Sequence, residues 1–163
     1  MNHSLDNLTL YYFKPREFTR GGVEWFYKYN VRLLVLIDLL RFMWKKPIDI
    51  SPHPRACGRM EGGGTHDYTL NKSVLAIDLM PRGIDNISDL NHIIDIMTQL
   101  GFTGIGFYPE WRINNIKRPG FHLDVRIKEL SDPSMWGGVI YNGRQIITSF
   151  DEAVGRFKDI KTI

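Results

Sequence analysis

The sequence has very little cysteine: Cys57 is the single one among 163 residues. An intramolecular disulfide is therefore excluded, and synthesis in a reducing compartment is expected. No cysteine–histidine pattern accompanies Cys57, so we do not expect it to act as a nucleophile.

Long apolar runs are also absent, since none reaches the roughly 18 residues needed to span a membrane. The most hydrophobic stretch, residues 33–40, is interrupted by Asp38. The first ten residues lack the basic start, apolar middle and cleavage site of a signal peptide. We therefore expect no membrane partner and no leader peptide.

A strong charge imbalance is missing as well. Lys and Arg total 21 against 18 Asp and Glu, which gives a net charge of +3. The basic residues are scattered, and this argues against a nucleic-acid partner, although the pI near 9.0 keeps a DNA-binding module as a minor alternative. No repeat or long linker divides the chain, so we expect one domain over residues 1–163.

Hydrophobic periodicity predicts both helices and strands. A helix is expected at 30–44, and a second begins at Asn86 or Ser88 and is closed by Gly101. Strands are expected at 48–51, 74–79, 104–108 and 121–127, with a long irregular segment at 52–73. A hairpin at Asn142-Gly143 and a capping box of Ser149 and Glu152 precede a terminal helix. The order predicts an α+β domain with a mostly antiparallel sheet and helices packed on it.

Two strands carry ionisable residues where apolar ones are expected. His122 and Asp124 share one face of their strand, opposite Phe121 and Leu123. Asp78 lies in an otherwise apolar strand and needs a partner or a metal if it is buried. The structural alternatives are a solvated outer strand face and an aspartate that caps a turn.

His66 follows the glycine run 62–64, which leaves its backbone free to adopt unusual conformations. Two imidazoles and one carboxylate are the ligand set of a catalytic Zn²⁺ that keeps one position for water. His66, Asp78 and His122 are therefore one candidate zinc site among several that the residues allow, because their sequence spacing adds no support.

Several segments carry a resemblance to a known family: 46–51 (KPIDIS), 58–59 (GR), 65–66 (TH), 76–81 (AIDLMP), 104–109 (GIGFYP) and 120–126 (GFHLDVR). They resemble the zinc D-alanyl-D-alanine carboxypeptidases, and more closely the bacteriophage and prophage branch of that family's C-terminal-type domains. The resemblance covers roughly residues 10–127.

The resemblance implies a hedgehog-like α+β fold and a Zn²⁺ cofactor held by His66, Asp78 and His122. It also implies a zinc metallopeptidase that cuts an amide bond in peptidoglycan stem peptides or cross-links. Arg59 matches the arginine that steadies the substrate carboxylate or the oxyanion. Such a protein would be made in the bacterial cytoplasm and carried on a virion or released to the cell wall.

The general base is not fixed by the resemblance, because Pro119 stands where many relatives keep a catalytic carboxylate. We expect Asp124 to be the base or to orient a ligand histidine. Its competitor is Glu110, in an expected loop from Tyr108 to Pro119 that could fold over the metal, and Trp111 in the same loop is expected to touch substrate. The alternative is a catalytically inactive cell-wall-binding domain of the same fold. His53 and His92 are expected to be exposed, and Trp25, Trp44 and Trp136 are expected to lie in the core or at its rim.

Overall fold

A computed structural model describes Leu5 and residues 8–113, 116–127 and 132–162. It contains eight strands: β1 (Thr19–Arg20), β2 (Val23–Glu24), β3 (Ile48–Ile50), β4 (Ala76–Pro81), β5 (Gly104–Ile113), β6 (Ile116–Asp124), β7 (Ser134–Tyr141) and β8 (Arg144–Thr148). Its α-helices are α1 (Val31–Trp44), α2 (Tyr68–Asn71), α3 (Ile87–Leu100) and α4 (Phe150–Thr162).

Six of the strands form a mixed sheet in the order β3-β4-β6-β5-β7-β8, and β1 and β2 form a small separate ribbon. Every neighbouring pair in the large sheet is antiparallel except β5 and β7, which are parallel. The predicted α+β domain with a mostly antiparallel sheet is thus confirmed.

The two long helices begin and end for the reasons expected from their sequences. The Asn30 side chain accepts a hydrogen bond from the Arg32 amide at the start of α1, and Asn86 accepts one from the Asp89 amide at the start of α3. The left-handed residues Lys45 (φ 59°) and Gly101 (φ 81°) end them. Asn86, not Ser88, is therefore the N-cap of α3.

One face of the large sheet belongs to the hydrophobic core. Ile77, Leu79, Phe121 and Leu123 have no exposed surface, and they share a cluster with the buried residues of α1, α3 and α4. The ring of Phe107 on β5 lies 5.9 Å from that of Phe157 on α4. The opposite face is left for polar residues, and the candidate site lies there.

Several strand boundaries differ from those expected. β4 starts at Ala76 instead of Val74, because Val74 forms an isolated bridge with Tyr29. β5 extends to Ile113, and β6 begins at Ile116 and ends at Asp124, short of the expected 127. The two form one long antiparallel pair with a register shift between Tyr108 and Trp111. The segment 52–73 is not wholly irregular, since it contains α2.

The C-terminal hairpin turns where expected, at Asn142 (φ 47°) and Gly143 (φ 75°), the positive angles of a type I′ turn. Ser149 caps α4 by accepting a hydrogen bond from the Glu152 amide (3.2 Å), but the Glu152 carboxylate accepts from Thr148 Oγ1 instead of closing the box. Within the described part of the chain, none of the helices combines the length and the apolar character needed to cross a membrane.

Candidate metal centre

Three potential metal ligands converge on the polar face of the sheet. His122 Nδ1 lies 3.1 Å from Asp78 Oδ1, His66 Nε2 lies 3.3 Å from the same oxygen, and the two nitrogens are 3.2 Å apart. Among the described residues, this is the group of histidine, cysteine and carboxylate side chains able to hold a metal ion. The three residues singled out from the sequence are therefore neighbours.

The triangle of atoms is poorly explained by hydrogen bonds alone. Each imidazole nitrogen carries either one proton or one lone pair, directed in the plane of the ring, so it cannot form good hydrogen bonds with two partners at once. If both nitrogens donated to Asp78 Oδ1, two N–H groups whose nitrogens are only 3.2 Å apart would converge on one oxygen. A cation shared by three lone pairs removes this conflict.

The spacing also fits the size of zinc. A tetrahedral zinc ion with bonds of about 2.0–2.1 Å keeps its ligand atoms about 3.3–3.4 Å apart. The three observed separations, 3.1, 3.2 and 3.3 Å, lie just below that value. Two imidazole nitrogens and one carboxylate oxygen are also a donor set that zinc commonly accepts.

Asp78 is held at the middle of the sheet. It pairs with His122 in the β4–β6 register, and its backbone amide donates to the Ala56 carbonyl (3.1 Å). Burial alone would raise the pKa of its carboxyl, but His122 and His66 outweigh burial and lower the pKa to about 2. Asp78 is thus an anion at neutral pH, as a metal ligand must be.

His66 is placed by the glycine-rich loop. Gly62, Gly63 and Gly64 all have positive φ (104°, 74° and 77°), which a residue with a side chain adopts only under strain. The Asp67 carboxylate accepts hydrogen bonds from the amides of Gly63 (2.8 Å) and Leu70 (2.9 Å) and so ties the loop to α2. The loop directs His66 Nε2 to the cluster.

His122 has one nitrogen for the cluster and one for a supporting carboxylate. Its Nδ1 faces Asp78, whereas its Nε2 lies 3.4 Å from Asp124 Oδ2 and 3.4 Å from Thr65 Oγ1. Burial alone would lower the pKa of His122, but Asp124 and Asp78 outweigh it and raise the pKa to about 9. A carboxylate behind a ligand histidine fixes the ring and its tautomer.

Asp124 lies on the side of the His122 ring away from the three ligand atoms. It is fully buried and is held by the Arg126 guanidinium, whose Nε is 2.9 Å from both carboxylate oxygens. Thr103 Oγ1 donates to it as well (3.3 Å). Burial opposes ionisation, yet His122 and Arg126 hold the pKa of Asp124 well below its ordinary value. This position suits an orienting partner better than a base.

Glu110 is directed away from the cluster. Its carboxylate pairs with Lys117 Nζ (2.6 Å) and with Arg156 Nε (3.0 Å). Arg156 belongs to α4, which packs on the core face of the sheet. Burial would raise the pKa of Glu110, but the two cations lower it. The expected loop between Tyr108 and Pro119 is in fact the long β5–β6 pair, so it does not fold over the metal ligands.

Arg59 lies in the same loop as His66. Its backbone amide donates to the His66 carbonyl (3.0 Å), and its guanidinium Nη2 donates to the Gly63 carbonyl. Its Nε is buried and has no hydrogen-bond partner. The structure therefore brings Arg59 next to a ligand loop and leaves one of its donors unused.

An aromatic row borders the cluster, and we define it as Trp136, Tyr108 and Trp111. The Trp136 ring is 5.3 Å from that of His122, and its indole Nε1 donates to Tyr108 Oη (3.2 Å). Tyr108 stacks on Trp111 at 4.7 Å. Trp111 therefore contacts the site only through Tyr108. Trp136, for which no contact with the site was expected, is the tryptophan that contacts a candidate ligand.

Glycines make room for this row. A Cβ on Gly106 would lie 2.5 Å from Trp136, and one on Gly120 would lie 2.2 Å from Trp111. Gly106 stands opposite His122 in the β5–β6 register. The position of Trp136 depends on the parallel pairing of β7 with β5, which no local sequence pattern predicts. The glycines at 104 and 106 were the available sign in the sequence that a large side chain packs against β5.

Most residues given structural roles from the sequence are placed as expected, and Trp136 is the exception, because it is half-buried beside His122. His53 and His92 are exposed, and Trp25 and Trp44 are 4% exposed. Cys57 is buried, and burial raises the pKa of its thiol to about 11, so it is not a thiolate at neutral pH.

Comparison of the chain with protein-family models, with curated proteins and with solved structures gave no match. Function must therefore be argued from the cluster itself. Its chemistry is that of a site able to hold one divalent ion through two imidazoles and a carboxylate, beside an aromatic surface.

Proposed function

We propose that this protein is a zinc-dependent peptidase that hydrolyses an amide bond in peptidoglycan stem peptides or cross-links. One observation carries the proposal: His66, Asp78 and His122 direct three ligand atoms to a common point at separations suited to zinc. When bound there, zinc would polarise the scissile carbonyl and lower the pKa of a water molecule.

The residues around the cluster have separate roles in this proposal. Asp124 orients His122 and increases its basicity as a ligand. Arg59 offers a planar, permanently charged group to a substrate carboxylate, and its place beside His66 in the same loop supports that role. The aromatic row of Trp136, Tyr108 and Trp111 gives the substrate an apolar surface beside the ligands.

The choice of peptidoglycan as substrate is supported by the resemblance of roughly residues 10–127 to the D-alanyl-D-alanine carboxypeptidases. The mild positive charge, +3, also suits an anionic polymer. A protein acting on this polymer would be carried on a virion or released to the cell wall after synthesis in the bacterial cytoplasm. We propose no nucleic-acid partner.

The proposal is tested with protein purified without added metal. We expect about one zinc per chain by elemental analysis and clearing of purified murein that chelation abolishes. His66→Ala should lose both zinc and clearing, whereas His92→Ala, an exposed histidine on α3, should keep both. Full zinc occupancy in His66→Ala would remove His66 from the site.

A second candidate function is a metal-holding domain that binds the cell wall without cutting it. This function is favoured because both carboxylates proposed as the base already form ion pairs: Asp124 with Arg126, and Glu110 with Lys117 and Arg156. Zinc-loaded protein that sediments with murein but releases no peptide or amine would establish this function and exclude the first.

A further inference from the structure

The outer face of α1 is apolar where a surface helix is normally polar. Four of the five exposed residues of this helix are Val31, Val35, Leu39 and Phe42, with exposures of 40%, 39%, 42% and 59%. Their spacing of three or four residues places them on one stripe. The opposite stripe is buried in the core, so α1 is hydrophobic on both sides, which is typical of a helix covered on both sides.

The helix α3 is an internal reference for α1. Both have 14 residues, begin at an asparagine cap and end at a left-handed residue. The exposed positions of α3 are all polar: Ser88, Asn91, His92, Asp95, Thr98 and Gln99. The fold itself thus accepts a polar outer face, and the apolar face of α1 requires a separate explanation.

The segment before β1 enlarges this apolar face. Asp38 on α1 accepts hydrogen bonds from the amides of Tyr11 and Tyr12 (both 2.8 Å) and of Phe13 (3.2 Å). These bonds hold Tyr11, 80% exposed, beside the helix. We call the combined surface of Tyr11, Tyr12, Leu39 and Phe42 the α1 surface.

Two shallow hollows flank Phe42 on this surface. One, of about 360 Å³, is lined by Tyr11, Tyr12, Asp38, Leu39 and Phe42. The other, of about 410 Å³, is lined by Tyr12, Arg41, Phe42, Lys45, Lys46 and Pro47. The rings of Tyr12 and Phe42 therefore stand between an apolar hollow and one edged with cations.

Cations outnumber carboxylates among the residues that line the two hollows. Arg41, Lys45 and Lys46 line the second hollow, and Lys46 is partly paired with Asp89 at 3.4 Å. The carboxylate in the first hollow, Asp38, already accepts three backbone hydrogen bonds. An occupant must then combine apolar groups with negative charge.

We propose that the α1 surface docks on an anionic lipid bilayer. A second copy of the chain fits less well, because a symmetric contact would bring the same cations together. Tyr11 and Phe42 protrude instead of lining a deep cleft, and a fluid interface receives such rings without a matching shape. Lipid headgroups supply negative charge immediately above the hydrocarbon, where tyrosine, phenylalanine and lysine side chains are favoured.

This inference is independent of the metal centre. It differs from the expectation of no membrane partner, which rested on the lack of a spanning segment; docking on a bilayer requires none. Its test measures binding, so its failure would leave the proposed peptidase activity untouched.

The experiment is sedimentation of the purified protein with vesicles made of equal parts phosphatidylglycerol and phosphatidylcholine. We expect binding that weakens with salt and that is lost on vesicles of phosphatidylcholine alone. Phe42→Ser should weaken binding about tenfold or more, since an aromatic ring leaves the interface. Ile147→Ser, which changes a residue 66% exposed on β8, is the matched control and should bind normally.

A second pair of variants tests the charges. The double substitution Lys45→Gln and Lys46→Gln should remove most of the preference for phosphatidylglycerol, whereas Arg144→Gln at the distant hairpin should not. Unchanged melting temperatures exclude unfolding as the cause. Absence of vesicle binding, or equal losses in the Ile147 and Phe42 variants, would overturn the proposal. So would a dimer in solution that Phe42→Ser dissociates, because the surface would then be a contact between copies.

Discussion

The two faces of the large sheet use the same backbone for opposite purposes. On β6, Phe121 and Leu123 point into the core, whereas His122 and Asp124 between and after them point to the candidate site. On β4, Ile77 and Leu79 alternate with Asp78 in the same way. The core behind the sheet can therefore fix the candidate ligands in front of it, because side chains alternate between the two faces and each candidate ligand on a strand is next to a buried residue.

The core face should respond most strongly to truncation. Phe121→Ala removes a fully buried ring that lies 5.1 Å from Phe107, so we expect a loss of about 3–5 kcal/mol in the free energy of unfolding. Urea unfolding of metal-free protein measures it. A loss below about 1 kcal/mol would mean that the two faces differ less than the packing indicates.

The glycines under the aromatic row should respond next. Gly106→Ala places a Cβ 2.5 Å from Trp136, so we expect about 1–3 kcal/mol of destabilisation and a shifted tryptophan emission. Gly155→Ala in α4, where a Cβ meets nothing within 4 Å, should instead stabilise by up to about 1 kcal/mol. If both substitutions changed the free energy of unfolding in the same direction, the close approach of Trp136 to Gly106 would be contradicted.

The substitution Asp124→Asn distinguishes between two possible roles of Asp124: orienting His122 and acting as the general base. Because Asp124 faces His122 Nε2 and not the ligand atoms, zinc affinity should fall about 10–100-fold. Competition with a chromogenic chelator measures this affinity. Glu110→Gln, which alters a carboxylate paired on the other side of the sheet, should leave the affinity unchanged. If Asp124→Asn kept normal zinc affinity and lost turnover, Asp124 would be the base.

Proton competition should give the most gradual effect, at most about tenfold in zinc affinity per pH unit. Since the pKa of His122 in the metal-free protein is raised to about 9, zinc must displace its proton at neutral pH. Zinc affinity should therefore rise up to about tenfold per pH unit and level off above that pKa. By the same linkage, His122 stabilises the metal-free fold below its ordinary pKa and loses this contribution as pH rises through about 9.

Zinc titrations at several pH values in matched buffers would measure the proton competition. An affinity that does not change between pH 6 and 8 would contradict a protonated His122.

Much of the site could be predicted from strand alternation. The parity of 121–126 put His122 and Asp124 on one face, and an aspartate in an apolar strand marked Asp78. The pairing of those two strands, and the approach of His66 from a loop, could not follow from local pattern, because they depend on contacts between residues 44 and 56 positions apart. The resemblance to a family supplied that grouping.

The errors have the same origin. Glu110 and Trp111 were expected in a loop between the strands 104–108 and 121–127, yet β5 continues to Ile113 across a register shift between Tyr108 and Trp111. Apart from the glycines at 104 and 106, no local pattern indicated that Trp136 lies near His122, because the parallel pairing of β7 with β5 joins distant segments. Non-local pairing sets the side of the sheet on which each of these residues acts.

X-ray absorption at the zinc edge tests most directly whether His66, Asp78 and His122 bind one zinc ion. For zinc-loaded protein we predict two imidazole nitrogens and low-atomic-number oxygen ligands at about 2.0–2.1 Å, without sulfur. His66→Ala should show a single imidazole or no bound zinc. Two imidazoles retained in that variant, or a sulfur ligand in the unaltered protein, would contradict the account.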